Sequence, residues 1–270
     1  MLNLFPRPPL IGVVHAPPLP GSHRYEGSWK TIVDRVAEDV DAYVQGGVDG
    51  VVLENFGDAP FFPGRVPPAT IAHMTALAGL IRERTSVPLG LNVLRNDGEA
   101  ACAIAQAANA QFIRVNVLCG ARLTDQGIIS GIAHELLRLR HNLQAEQILI
   151  FADVNVKHSA PLAARDLSEE VEETLERGGA DAVIITGRAS GAPADLKHIE
   201  CAKRAARSKP VLVGSGVALE NIQLLLQHAD GLIVGTSLKR DGRIENEVEL
   251  ARVIALRRAC DSALSRIIAR

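Results

Sequence analysis

Several short apolar runs carry polar residues at every second position, and those residues have the chemistry of an acid/base site. In ILIFADVNVKHS, strand alternation puts Ile148, Ile150, Ala152, Val154 and Val156 on one face and Phe151, Asp153, Asn155 and Lys157 on the other. A strand covered by helices turns its aliphatics outward, so the polar set faces the enclosed side. In FIRVNVL, Ile113, Val115 and Val117 go outward and Arg114 and Asn116 inward, while Glu54 follows Val52 and Asn92 follows Gly90. Glu54 or Asp153 would then act as general base or acid. Lys157 would stabilise negative charge, or form a Schiff base if burial lowers its pKa. Arg114, Asn92, Asn116 and Asn155 would hold hydroxyls or a carboxylate. His15 and His158 end two of the runs and titrate near neutrality. A lone histidine at a strand end is more often structural, so both rank below the carboxylates.

Structural ion pairs are the competing reading, because buried charges normally pair. The number of polar groups and their gathering toward the C-terminal ends of the runs favour a functional site. Two carboxylates could also hold Mg²⁺, but the flanking Lys and Arg make this less favoured; no cofactor is evident and no metal ligands are assigned.

A second set has the composition of a phosphate cradle. VLVGSGV ends with Gly214, Ser215 and Gly216, and LIVGTSL ends with Gly235, Thr236 and Ser237. Glycine permits close backbone approach, and amides at a helix start point toward an anion. Two tight turns that merely need glycine would look the same singly; both together, after the last two strands of the pattern, point to phosphate. IITGRASGAP adds Thr186, Gly187 and Ser190, with Thr186 placed to touch a sugar hydroxyl or the phosphate. In GARLTDQGIISG, Thr124, Asp125 and Gln126 are placed where a helix begins, as caps or as binding groups.

These groups need a scaffold. Apolar runs at Leu10–Ala16, Gly50–Phe56, Leu89–Leu94, Phe112–Leu118, Ile148–Val156, Ala182–Gly187, Pro210–Gly216 and Gly231–Ser237 alternate with helical stretches such as Lys30–Gly46, Ala69–Thr85 and Ser168–Gly178. That alternation predicts right-handed βαβ units and a parallel sheet. A weak repeat marks the helix-to-strand joints: GGVDGVVLEN, ANAQFIRVNV, GGADAVIITG and HADGLIVGT. In the first three, Gly or Asn supplies a left-handed helix end; the fourth lacks it. Eight such units predict an α/β fold, a single-domain (β/α)₈ TIM barrel spanning residues 1–270. Long loops at 17–29 and 57–68 follow strands 1 and 2 and carry Tyr25, Trp29, Phe61 and Phe62, as a lid or a dimer contact.

Composition agrees and excludes other classes. The chain has 270 residues, 47% hydrophobic and only 3% aromatic, so its core is built from Val, Ile, Leu and Ala, as suits strands buried on both faces. The net charge of −2 comes without a Lys/Arg block, which argues against nucleic acid. The four cysteines are scattered without a CxxC pair, as expected of reduced, mostly buried thiols. No apolar run is long enough for a transmembrane segment, and the N-terminus lacks a signal peptide's pattern, so the chain reads as cytoplasmic.

The segments VVHAPPLPG, LENFGDAPF, RVNVLCGARLTDQGIISG, ADVNVKHSAPL, TGRASG and VGSGV resemble the motifs of the BtpA/SgcQ family, and the resemblance runs from about Leu10 to Arg252. It implies a ribulose-phosphate-binding-type barrel. The family takes its name from a member implicated in photosystem I accumulation, while others accompany sugar-uptake and sugar-metabolism genes. Two functions are therefore expected: an enzyme for a small phosphorylated metabolite (a sugar phosphate or nucleoside-like phosphate) acting by isomerase, lyase or glycosidic hydrolase chemistry, or a non-enzymatic assembly or regulatory factor that retains a ligand-binding barrel. Barrels of this class often self-associate, so a homo-oligomer is the default expectation.

Overall fold

Parallel strands rich in Val, Ile and Leu close on themselves in a computed structural model that describes residues 4–187 and 194–268. The barrel strands are β1 (Leu10–His15), β2 (Gly50–Glu54), β3 (Leu89–Asn92), β4 (Phe112–Val115), β5 (Leu149–Val154), β6 (Ala182–Ile185), β7 (Val211–Val213) and β8 (Gly231–Val234). Each pairs in parallel with its sequence neighbours, and β8 closes onto β1 through Leu10↔Leu232, Ile11↔Ile233 and Gly12↔Val234. The helices are α1 (Trp29–Gln45), α2 (Pro68–Arg84), α3 (Gly98–Ala107), α4 (Ala133–Asn142), α5 (Leu167–Glu172), α6 (Leu196–Ala206), α7 (Ile222–His228) and α8 (Leu250–Ile268). The chain is thus a (β/α)₈ barrel, as its periodicity predicts.

Local chemistry sets the boundaries. The Ser28 hydroxyl accepts from the Thr31 amide at 3.2 Å to start α1, Asp97 accepts from Ala100 at 2.9 Å to start α3, and Asp195 caps α6. Gly47, Asn109 and Gly179 all have positive φ after their helices, the left-handed turn expected of the first three repeats. The strands end sooner than the apolar runs: β4 stops at Val115 and β2 at Glu54, where polar side chains leave the ladder. The run Ser168–Gly178 becomes the short α5 followed by a wider π turn over Glu173–Arg177.

Two apolar layers lie either side of the strands. Outside, Val14, Val51, Leu53, Ile113, Val115, Ile150, Ala152 and Val154 pack against the helices. Inside, Ile11, Val13, Val52, Ile184, Leu212 and Ile233 surround Phe112 and Phe151, whose rings stack at 4.6 Å between centroids, with Phe5 on the same cluster. These residues fill the barrel's lower half, so the polar groups crowd its upper end, where the strands finish. Val117 differs from expectation: it joins Ile129 and Val156 in a small cluster of its own.

The segment 121–130 is not a helix start. Ala121–Thr124 pairs antiparallel with Gly127–Ser130, and Ser159–Pro161 pairs along its other edge, making a three-stranded sheet beside the barrel mouth. Thr124 caps the tight turn instead: its hydroxyl donates to the Gly127 carbonyl at 2.9 Å and accepts from the Gln126 amide at 3.2 Å, with Gly127 at φ +96°. Alternating apolar residues on both sides of a Gly-containing turn are a hairpin signal that outweighs the capping one.

Candidate active site

At the top of β1 to β3, His15, Glu54 and Asn92 sit on one row of the ladder, since His15 registers with Glu54 and Glu54 with Asn92. Arg114 on β4 reaches across to them. Its guanidinium donates to both oxygens of Asp153, at 3.2 and 3.0 Å, and to Glu54 Oε1 at 3.1 Å. Asn92 donates to the same Glu54 oxygen at 2.8 Å, and Asn116 donates to Asp153 Oδ2. All five side chains are buried.

The two carboxylates therefore differ. Both oxygens of Asp153 are committed to Arg114 and Asn116. Glu54 uses Oε1 twice, whereas Oε2 makes no hydrogen bond among the described residues and has the His15 ring nitrogen at 4.0 Å. Lys157 lies against the same cluster, and its ammonium takes part in no ion pair among the described residues; burial, then the Arg114 charge, lowers its pKa from the usual lysine range. Burial, and after it Lys239, Lys157 and Arg114, hold the His15 imidazole well below its ordinary value, and His15 Nδ1 is buried with no hydrogen-bond partner.

Two cavities open from this cluster and share Glu54, Arg114 and Lys157. The first, of 330 Å³, is walled by Gly214, Ser215 and Gly216 after β7 and by Gly235, Thr236 and Ser237 after β8, with His15 and Arg252 at its sides. Glycine is required at several points here. Gly216 has φ +67°, a Cβ on Gly214 would come within 2.6 Å of Ile184, and one on Gly235 within 2.6 Å of the His15 ring. The Ser237 hydroxyl donates to the Val217 carbonyl at 2.7 Å, which ties the two glycine loops together. Such a cavity can hold an anion on backbone amides and hydroxyls.

The second cavity, of 320 Å³, is lined by Phe56, Phe61, Leu94, Arg95, Asn92, Asn116, Asp125 and His158. Phe61 belongs to the 57–68 loop and stands edge-on to Phe56, which in turn stands edge-on to His15. That loop thus forms a wall of the site. Trp29, at the end of the 17–29 loop, packs instead on His73 of α2 and lines neither cavity.

The structure brings together most residues expected from the sequence: Glu54, Asn92, Arg114, Asn116, Asp153 and Lys157, with His15 beside them and His158 at the rim of the second cavity. Asn155 is a correction. Its φ of +53° breaks the alternation, so it leaves the interior, is exposed, and accepts from Arg122 at 2.7 Å. Thr186 is buried below Gly214 with its hydroxyl unpartnered among the described residues, and Gly187 is buried beside it. Ser190 lies outside the described residues.

Sequence reasoning missed Arg95 and Phe56, which line the second cavity, and Arg252, which lines the first. Arg95 is only 5% exposed and donates to the Lys157 carbonyl at 2.6 Å. It follows the end of β3, where strand alternation no longer applies. Arg252 looks like one more surface charge on α8.

Comparison with known proteins places this geometry. An uncharacterized protein of Thermococcus kodakarensis is 50% identical over 248 residues, covering 92% of this chain and 93% of that one. The Photosystem I biogenesis protein BtpA of Synechocystis is 47% identical, over 92% of this chain and 86% of its own. Among solved structures, N-(5'-phosphoribosyl)anthranilate isomerase from Pyrococcus furiosus superposes with a TM-score of 0.56 at 14% identity, covering 94% of this chain and 98% of that one. The native KDPGal structure gives 0.60 at 15%, over 95% and 96%. At such identities these likenesses are of fold alone. The BtpA family profile matches residues 7–262, and the chain belongs to the BtpA family.

Proposed function

We propose that the chain is an enzyme for a small phosphorylated metabolite, seated with its phosphate on the glycine loops and its reacting carbon at the seam between the two cavities. The observation that carries this reading is the meeting of both cavities at Glu54, Arg114 and Lys157, below loops that need glycine. The enzymes among its fold neighbours, such as the anthranilate isomerase, add support from fold alone.

In this reading Glu54 is the general base, because Oε2 is the carboxylate oxygen left free of hydrogen bonds. Asn92 and Arg114 hold Glu54 in place. Lys157 faces it across the seam and supplies the acid, or stabilises a developing oxyanion. A lowered pKa also suits attack on a carbonyl carbon, which makes carbon–carbon cleavage as compatible as isomerisation. Asp153 acts through Arg114 as a positioning residue. Arg114 already occupies the space between the two carboxylates, where a divalent cation would have to sit.

A thermal-shift series tests the reading, with the protein and its Ser215→Asp variant against inorganic phosphate, glycerol 3-phosphate and hexose phosphates. Millimolar ligand should stabilise the native protein and not the variant, whose added charge repels the anion. No response to any phosphate compound would overturn it.

The name of the Synechocystis relative motivates a second reading, a factor that assembles with other proteins. The exposed apolar residues Phe62, Leu123, Ile128 and Leu162 near the barrel mouth are the surface it would use. Substituting Leu123 and Ile128 by Ser would abolish such an assembly and leave phosphate binding intact.

A further inference from the structure

The ion pairs around the seam leave two cations unpaired among the described residues. Arg114 draws on both carboxylates of the interior, Glu54 at 3.1 Å and Asp153 at 3.0 Å. Two cations remain beside the second cavity. Lys157 has no ion pair there, and Arg95 has none among the described residues either. Arg95 is permanently charged and 5% exposed, and the sole hydrogen bond of its side chain among the described residues is the one to the Lys157 carbonyl. Its Nε is buried without any partner. Asp125, the other carboxylate on this cavity besides Glu54, is exposed at the hairpin turn. A guanidinium taken out of water without a direct ion pair is costly, and proteins normally pair it.

The walls state what kind of anion fits. The first cavity is made of glycine loops suited to a tetrahedral phosphate. The second has no glycine among its described lining residues; it is lined by the Arg95 guanidinium, Asn92 and the aromatic rings of Phe56 and Phe61. Those groups match a flat carboxylate, which arginine binds edge to edge.

We propose that the second cavity is a carboxylate subsite centred on Arg95, so that the substrate carries a phosphate at one end and a carboxylate at the other. This rests on the phosphate seat proposed above and specifies the class of molecule that spans the seam: a phosphorylated sugar acid or a shorter phosphorylated hydroxy acid. Its carboxylate would pair with Arg95 beside Lys157 and hold the intervening carbons against Glu54 Oε2.

The test is calorimetric titration with matched pairs. 6-Phosphogluconate is compared with sorbitol 6-phosphate, and 3-phosphoglycerate with glycerol 3-phosphate, so that each pair differs in its acid end. Hexitol 1,6-bisphosphate is the arm for a second phosphate. At least one acid should bind about tenfold tighter than its alcohol partner. Arg95→Gln should abolish that preference and leave the alcohol phosphates bound as before, while Arg95→Lys keeps part of it. Equal binding of acid and alcohol by the native protein, or a preference that survives Arg95→Gln, would overturn the carboxylate subsite and leave the phosphate seat standing. Tightest binding by the bisphosphate would overturn the choice of carboxylate. Failure of every phosphate compound would bring down the phosphate seat itself. Should Arg95→Gln fail to fold, the native protein's matched pairs and Arg95→Lys decide the question.

Discussion

Arg114 grips both oxygens of Asp153 inside the barrel, at 3.2 and 3.0 Å, with the Asp153 side chain wholly shielded from solvent. The same guanidinium holds Glu54, so one residue fixes both carboxylates of the site. Arg114→Met is expected to destabilise the fold by about 3–5 kcal/mol, because it leaves two buried charges without a counter-ion. Arg114→Lys keeps the charge, loses the fork and should fall between. Urea unfolding of the three proteins checks this. A loss under about 1 kcal/mol for Arg114→Met would mean that the carboxylates find other partners.

Lys157 is expected to react with cyanate at neutral pH faster than exposed lysines, since burial lowers its pKa and leaves more neutral amine. Each unit of lowering is worth about tenfold in neutral fraction. Glu54 favours the ammonium, so Glu54→Gln should speed the reaction further. Peptide mass spectrometry after a short exposure measures both.

His15 gives a signed pH dependence. Burial holds its folded pKa well below the ordinary 6.5, so below that pH the unfolded chain takes up a proton that the folded chain refuses. Stability from this group is complete above pH 6.5 and is lost as the pH falls toward the folded pKa. His15→Asn should flatten that part of the Tm-against-pH curve. An unchanged acid limb would show that other groups govern it.

How much of this was written in the sequence depends on where each residue stands. Along β5, alternation correctly sends Phe151 and Asp153 inward, because a ladder forces successive side chains to opposite faces. Two residues further the rule lapses: Asn155 adopts a left-handed backbone and turns outward. Arg95 fails in the opposite sense, a charged residue past a strand end that the fold buries. The glycine loops were legible because the positive φ of Gly216 and the close contacts at Gly214 and Gly235 demand glycine. The 121–130 hairpin was hidden by Thr124, which satisfies the same hydrogen bonds in a turn as at a helix start.

Behind the β8 loop, Lys239 and Asp39 form a fully buried pair at 2.5 Å, and the other Asp39 oxygen accepts from the Val248 amide at 2.6 Å. This pair pins the loop that follows Thr236 and Ser237 against α1. Lys239→Met should cost about 3 kcal/mol, less than a fully orphaned charge because Arg35 stays 3.6 Å from Asp39, and Asp39→Leu added to it should recover part of that cost. Chemical denaturation of the single and double variants tests it. A double variant weaker than Lys239→Met would assign the larger share to the Asp39–Val248 hydrogen bond.

The stacked pair Phe112 and Phe151, with Phe5 packed in the same apolar cluster, gives the barrel a closed bottom. Traffic can therefore pass only through the mouth. In the proposed reaction a spent molecule would back out along the path its successor takes, and one still carrying its phosphate would block the very loops the successor needs. For the enzyme proposed above, this shape makes inhibition by product, competitive with substrate, the expected behaviour.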